Sequence, residues 1–346
     1  MTLVRRTYHK LLLTPGLASS FRRVQGDYAT ILKLHRVRDD RSDIEGTDAE
    51  TLRRSLAYLR RHRYELISLG ELFQRMAGDG PRLRGAVAFT LDDGYRDQAE
   101  IAGPIFREFD CPLTVFLATG FVDGALWCWW DRVEYVFSNT RRESIAVPLG
   151  HSALRYHFGI GSDRYAMRID FVERCKAVDD DEKHRAIARL AHEAEVELPE
   201  AAPSEYAPMT WTDVRANERR GMSFGPHTVS HPVLSRTTPE RARWEIAESW
   251  RRLRAEVQNP LPIFCYPNGQ DADFGRREVE TVREIGLIGA VSAQPGFAIP
   301  ASFEPCGEDR FNIKRMPFPE QISVLAQSVS GIERVKQAIR GAVGKR

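Results

Sequence analysis

The chain has 346 residues, 42% of them apolar, which is enough for a substantial core and argues against intrinsic disorder. Lys plus Arg number 50 and Asp plus Glu 48, so no general electrostatic attraction favours nucleic acid, which is not expected as a partner. Five cysteines, Cys111, Cys128, Cys175, Cys265 and Cys306, lack any C-x-x-C pairing, against a disulfide framework or a cysteine zinc site.

Met1 to Phe21 carries Arg5, Arg6 and Lys10 before a short apolar run, Leu11 to Leu13, that Thr14-Pro15-Gly16 interrupts. The run is too short for a membrane span and poor as a signal peptide. It reads as a helix packed on the domain, with a basic amphipathic helix on a membrane surface as the alternative. A cytoplasmic or inner-membrane-associated location is the expectation. Tyr28 to His35 reads as an apolar strand. A helix follows over Thr47 to Arg61, capped by Thr47 or Asp48, with Leu52, Leu56 and Leu59 at helical spacing. A short strand at Glu65 to Ser68 and a helix from Leu69 come next. The run Gly85 to Leu91 predicts a buried strand, followed by a helix from about Asp97 to Phe109 and a strand over Leu113 to Leu117.

Residues 121–205 break this rhythm. Trp127 to Trp130 opens a helix-like segment, Glu143 to Phe158 suggests a hairpin, and Lys183 to Glu197 reads as a charged helix. The region is taken as an insertion over one end of the core, a common position for substrate-selective parts. The pattern resumes with a helix near Thr212 to Arg220, a strand at Met222 to Gly225 and a long helix from Pro239 to Val257. A strand Pro262 to Tyr266, a helix near Glu278 to Ile285, strands at Ala290 to Ala293 and Phe311 to Met316, and a helix Ile322 to Val343 complete the chain. Strand–helix alternation argues for a parallel sheet, either a barrel or a doubly wound layer.

Asp92 and Asp93 stand where the most apolar strand ends, and Gly94 lets the chain turn. Ligand sites in α/β proteins gather at the carboxyl ends of strands. Two adjacent carboxylates repel; a cation taking one of them would leave the other free as a base. The ordinary alternative is a turn in which Asp caps the next helix. His227 and His231, four apart, are the distant partners. With Asp93 they would form a two-nitrogen, one-oxygen set with an open position for water, the catalytic form of a zinc site. Asp92 would then take a proton from that water. Thr228 replaces the Glu of the H-E-x-x-H motif, and Pro232 disfavours a helix at His231, so the pair is expected on a loop. Thr228 is a candidate for orienting a ligand histidine.

Thr90-Leu91-Asp92-Asp93-Gly94, His227-Thr228-Val229-Ser230-His231, Phe264-Cys265-Tyr266-Pro267-Asn268-Gly269 and Leu32-Lys33-Leu34-His35-Arg36-Val37 occur in this order. Together they resemble the motifs of the polysaccharide deacetylases, the carbohydrate esterase family 4 or NodB-homology group. The resemblance covers residues 28–318, with 1–27 as an N-terminal extension and 319–346 as a C-terminal helix. It implies a distorted (β/α)7-type barrel and a hydrolase removing acetyl groups from an N-acetylated glycan or lipid-linked sugar. The implied cofactor is Zn2+, with Co2+ or Ni2+ also suited to nitrogen and oxygen donors. By residue match Asp92 is the general base, and Asp93, His227 and His231 hold the metal.

The resemblance further implies that the Asn268 N–H holds the oxyanion. Tyr266, Pro267, Trp130 and Tyr95 are placed at the substrate. For Trp127, Trp129 and Trp130 core packing is the commoner outcome, and a mixed role with at least one of them near the cleft is expected. Two departures stand out. Cys265 occupies the position where many members have an Arg contacting the base; Arg315 is expected either to replace it or to lie on the surface. No histidine follows His231, so the general acid expected from a late motif falls to His35, unless His35 is simply a buried residue bonded to backbone. Rival readings keep the fold but cleave an O-acetyl ester or a non-sugar amide, or bind carbohydrate without turnover.

Overall fold

The computed structural model describes residues 27–40, 44–150, 152–159, 161–300 and 308–331. The N-terminal extension and its membrane-surface alternative, Cys306, and the C-terminal helix beyond residue 331 therefore lie outside the described residues.

Strand β1 (Ala29–Leu34) is followed by two short strands, β2 (Val37–Arg38) and β3 (Thr47–Asp48), and by helix α1 (Ala49–Arg61), capped by the Asp48 side chain. Helix α2 (Leu69–Met76) precedes β4 (Ala86–Leu91), and α3 (Gly103–Glu108) leads to β5 (Leu113–Leu117) and the one-turn α4 (Thr119–Val122). Next come α5 (Trp129–Asn139), the hairpin β6 (Ser144–Leu149) and β7 (Ser152–His157), α6 (Arg164–Lys176) and α7 (Asp180–Glu193). The last third holds α8 (Trp211–Glu218), β8 (Ser223–Pro226), α9 (Pro239–Glu256), β9 (Ile263–Cys265), α10 (Arg276–Glu284), β10 (Gly289–Val291), β11 (Met316–Pro317) and α11 (Ile322–Val329).

A five-stranded sheet has the order β11-β1-β4-β5-β8, every pairing parallel, and a two-stranded parallel sheet joins β9 and β10. Two seams close the ring. Leu261 N–H donates to Phe224 O at 2.8 Å across the β8–β9 gap. Ile313 N–H donates to Ala290 O and Ser292 N–H to Ile313 O, each at 2.9 Å, across the β10–β11 gap. The result is the distorted α/β barrel that the resemblance implied, and of the two arrangements left open by the strand–helix alternation it is the barrel.

Every residue of β4 is buried, because a parallel strand in a barrel has packed faces on both sides. Alternation sorts the side chains. Ala29, Ile31, Ala88, Phe116, Ile263, Cys265, Val291 and Ile313 fill the interior, and α2 plugs its lower end with Leu69, Leu72 and Phe73. Leu32, Phe89, Leu91, Val115 and Phe264 face the helical shell. Each large apolar side chain so buried contributes about 1.5–3 kcal/mol. Residues 129–194 build a separate apolar cluster around Val133, Phe137, Tyr156, Phe171, Ile187 and Leu190.

Several elements differ from the sequence reading. Glu65 to Ser68 forms only a single bridge, Leu66 to Val87, and not a strand. The expected helix at 97–109 starts as a π-turn over Gln98–Ala102 before α3, and Pro104, which has no N–H to donate, lies at this junction. The expected strand Phe311–Met316 is a 3-10 turn (Glu308–Phe311), an isolated bridge at Ile313 and the short β11. Helix α6 was not anticipated: its buried positions are Arg168, Phe171 and Cys175, so a charged residue interrupts the apolar face. Among the described residues no helix is long and apolar enough to cross a membrane.

Candidate active site

The carboxyl ends of β1, β4, β8, β9 and β10 surround one cavity of about 290 Å3, lined by His35, Asp92, Asp93, Tyr95, Trp130, His227, His231 and Asn268 among others. Four non-glycine residues here hold left-handed backbone: Asp93 (φ 85°), Thr228 (66°), His231 (55°) and Asn268 (56°). Such conformations are unfavourable for most residues and persist only where the surroundings enforce them.

Asp93 is 2% exposed, and its Oδ1 makes no hydrogen bond among the described residues. The Nε2 atoms of His231 and His227 stand 3.4 and 3.6 Å from it. These gaps are long for charged hydrogen bonds. They match neighbouring ligand atoms in a tetrahedral zinc site, which lie roughly 3.4 Å apart when each is about 2.1 Å from the ion. His227 Nδ1 donates to Cys265 O at 2.7 Å, which turns the lone pair of Nε2 toward Asp93. Cys265 O therefore sets the tautomer, not Thr228 as the sequence suggested. The Thr228 hydroxyl instead bonds main chain, donating to His227 O at 2.5 Å and accepting from His231 N–H at 3.1 Å. Burial and the neighbouring His227 push His231 down to about 3. Burial would also lower His227, but Cys265 and Asp93 outweigh it and push it up. Asp93 is held below the usual carboxylate range: burial opposes this, but the adjacent His227 and His231 prevail. The donor set fits a divalent cation: all three ligand atoms lie within 4.8 Å of one another, and the carboxylate oxygen has no other use.

Asp92 points to a different partner. Arg315, 0% exposed, donates from Nη1 to Asp92 Oδ1 at 2.7 Å and from Nη2 to Oδ2 at 2.8 Å. The same guanidinium donates to Ser292 O (2.9 Å), Thr90 Oγ1 (3.0 Å) and Cys265 Sγ (3.1 Å). Of the two alternatives for Arg315, the surface position is excluded. Burial would raise the Asp92 pKa, but the paired arginine holds it far below the ordinary value, so Asp92 is anionic. Asp92, His227 and Cys265 also bring ligand atoms within 4.8 Å, but Arg315 already occupies the carboxylate and the sulfur.

His35 follows β1, its Nε2 3.9 Å from Asp92 Oδ2 and its side chain 52% exposed. It is thus a cavity residue and not a sealed core histidine; desolvation lowers its pKa. Asn268 caps the opposite wall, its Nδ2 buried without a hydrogen-bond partner among the described residues. Gly269 is obligatory beside it, because a Cβ there would stand 2.6 Å from Ala293 N.

Trp130 and Tyr95 both line the cavity, and Trp130 meets His231 edge to face at 4.5 Å. Trp130 Nε1 donates to Tyr95 OH (2.9 Å), which donates to Asp131 (2.7 Å). The Tyr95 hydroxyl is therefore committed to holding the wall. Tyr266 and Pro267 are corrections. Both are buried outside the cavity, and the Tyr266 ring stacks on Phe274 at 3.8 Å. The cause is strand alternation: Cys265 faces the barrel interior, so the next side chain turns to the helical shell.

Sequence reasoning missed Lys33 and Arg168, which also line the cavity, and Glu245, which is 0% exposed behind the histidine loop. A signal for Glu245 exists: it shares the buried face of α9 with Ala242, Ile246 and Ser249, where a charge needs a partner. Arg36 pairs with Asp97 at 2.6 Å.

Residues 183–287 match the family model of polysaccharide deacetylases, a span that includes both histidines and the Asn268 turn. No curated protein matches the chain. Three solved structures share its fold. The deacetylase PplD of Streptococcus pyogenes is 16% identical, covering 88% of this chain and 99% of its own, with a TM-score of 0.56. IcaB of Ammonifex degensii is 15% identical over 88% and 98%, with a TM-score of 0.54. A de-N-acetylase of Aggregatibacter actinomycetemcomitans is 14% identical over 85% and 96%, with a TM-score of 0.51.

Proposed function

We propose, from the match of residues 183–287 to the polysaccharide deacetylase family model together with the shared fold, that this chain is a metal-dependent hydrolase removing N-acetyl groups from an N-acetylated sugar or glycan. The observation that carries this reading is the pairing of an unsatisfied Asp93 oxygen with two imidazole nitrogens at 3.4 and 3.6 Å, beside a second, arginine-locked carboxylate. A zinc, cobalt or nickel ion held by Asp93, His227 and His231 would supply Lewis acidity toward the acetyl carbonyl and acidify water.

The chain's own groups divide the remaining work. Asp92, kept anionic and fixed in orientation by Arg315, accepts the proton of the attacking water. The N–H of Asn268 faces the carbonyl oxygen as negative charge develops there; one such preorganised donor is worth about 3 kcal/mol in the transition state. His35 donates a proton to the departing amine nitrogen, so the amide C–N bond breaks to give acetate and a free amine. Trp130 forms an apolar wall suited to a sugar face. Arg315 bonding to the Asp92 carboxylate supports the enzyme reading over a silent carbohydrate binder, since it supplies the arginine contact missing at Cys265.

The direct test is acetate release from N-acetylated and O-acetylated glycans and from a non-sugar acetamide. Turnover of the N-acetylated glycan alone is the expected pattern, lost on chelation and regained with Zn2+ or Co2+; turnover indifferent to chelation would sink the reading. His35→Asn is expected to lower kcat by about 10²–10⁴-fold with little change in KM. It should also remove one limb of the kcat pH profile. An unaltered profile would take the acid role away from His35.

A further inference from the structure

The loop between the two imidazoles is gripped from both sides. Thr119 N–H donates to Thr228 O at 3.0 Å and Gly120 N–H to Val229 O at 2.9 Å, so α4 holds the carbonyl side. The amide side faces Glu245. Its Oε2 accepts the main-chain N–H groups of Val229 (2.8 Å) and Ser230 (2.9 Å), and its Oε1 accepts the Ser230 hydroxyl (2.5 Å). Arg241, one helical turn earlier, pairs with Oε1 at 2.7 Å.

Glu245 is 0% exposed, although an apolar residue would pack that face of α9 without the cost of desolvating a carboxylate. What the carboxylate supplies is one oxygen in a fixed place that accepts two consecutive N–H groups, and a second that accepts the Ser230 hydroxyl. Those groups lie midway between His227 and His231, in a segment where φ of 66° at Thr228 and 55° at His231 rules out regular helix or strand partners. Among the described residues the Val229 and Ser230 amides, midway between the imidazoles, have Glu245 as their acceptor, while the flanking His227 and His231 amides bond Leu117 O and the Thr228 hydroxyl.

We infer that Glu245 is a positioning residue for cation binding: by fixing the 229–230 main chain it sets the approach of His227 and His231 to Asp93. This rests on the reading of Asp93, His227 and His231 as a cation site. Removal of such a supporting partner weakens metal affinity about 10–100-fold.

The test is titration of the metal-free full chain with Co2+, followed by its visible absorption, for the wild type, Glu245→Ala and Glu245→Gln, with thermal melts of each metal-free protein. Glu245→Ala is expected to weaken Co2+ binding about 10–100-fold and to alter the spectrum, and Glu245→Gln, which keeps one acceptor oxygen, to fall between. If Glu245→Ala does not fold, the Glu245→Gln affinity decides. Variants that bind Co2+ within about twofold of the wild type, even with lower melting temperatures, would show that Glu245 only braces the fold and would overturn the inference. A wild type that takes up no Co2+ overturns the cation site itself, and the role of Glu245 with it.

Discussion

Asp92→Asn is expected to lower turnover by about 10²–10⁴-fold per folded molecule, with Co2+ affinity unchanged, because the ligands are Asp93, His227 and His231 and not Asp92. The qualification per folded molecule matters here. Asn keeps the shape but presents an amide N–H₂ toward Arg315, which is fully buried and donates to both oxygens of the present carboxylate. The variant therefore removes a base and also strands a buried cation, a change that costs about 3–5 kcal/mol. Active-site occupancy must be normalised by folded fraction or by bound Co2+. Activity within tenfold of the wild type after that correction would remove Asp92 from the chemistry.

Arg315→Met should be the most destabilising single change at the site, by about 3–5 kcal/mol at neutral pH. The side chain serves five acceptor atoms on β4, β9, the end of β10 and the Asp92 carboxylate, and Met satisfies none of them. The pH dependence follows from the sign of the Asp92 shift. In the wild type its pKa is depressed, so its contribution is complete above the ordinary carboxylate value of about 4 and fades as pH falls below that. Without Arg315, burial, the largest influence on Asp92, is opposed only by the lesser effects of His227 and His35, so the pKa is expected to rise above the unfolded value and the carboxylate to destabilise the variant increasingly as pH climbs. Urea melts should thus show the gap between wild type and variant narrowing from pH 7 to pH 5. A gap that stays constant or widens would show that the pairing is not what Arg315 contributes. Combining Arg315→Met with Asp92→Asn removes both charges and is expected to recover much of the stability and none of the turnover, the signature of strongly coupled neighbours.

Much of this site was legible because its residues sit at strand ends. Asp92 and Asp93 follow an apolar run, and His227 and His231 follow a shorter one, so a parallel barrel necessarily brings them to one rim. Arg315 could be suggested from the missing arginine at Cys265, but its choice of partner depends on the turn of the chain after Ile313, which no local pattern encodes. Tyr266 failed for the opposite reason: its neighbours Pro267 and Asn268 belong to the rim turn, while strand alternation carries its own ring into the shell. Glu245 was passed over, despite sharing the apolar face of α9, because amphipathic patterning scores a charge as solvent-facing, whereas this one faces the loop behind the cavity. Helix α6 was obscured in the same way by Arg168, which bridges Glu45 and Glu134 instead of facing water.

The two seams of the barrel divide the reacting groups unequally. His35, Asp92, Asp93, His227 and His231 all ride on the continuous five-stranded arc, whereas Asn268 rides on the separate β9–β10 leaf. Small breathing of the leaf against the arc would leave the cation's ligands and the base untouched while changing how far the Asn268 amide stands from the reacting carbonyl. Arg315 straddles both parts, with Ser292 O on one side and the Asp92 carboxylate on the other, so the clip that orients the base also ties the leaf to the arc, beside the main-chain bonds of the seams.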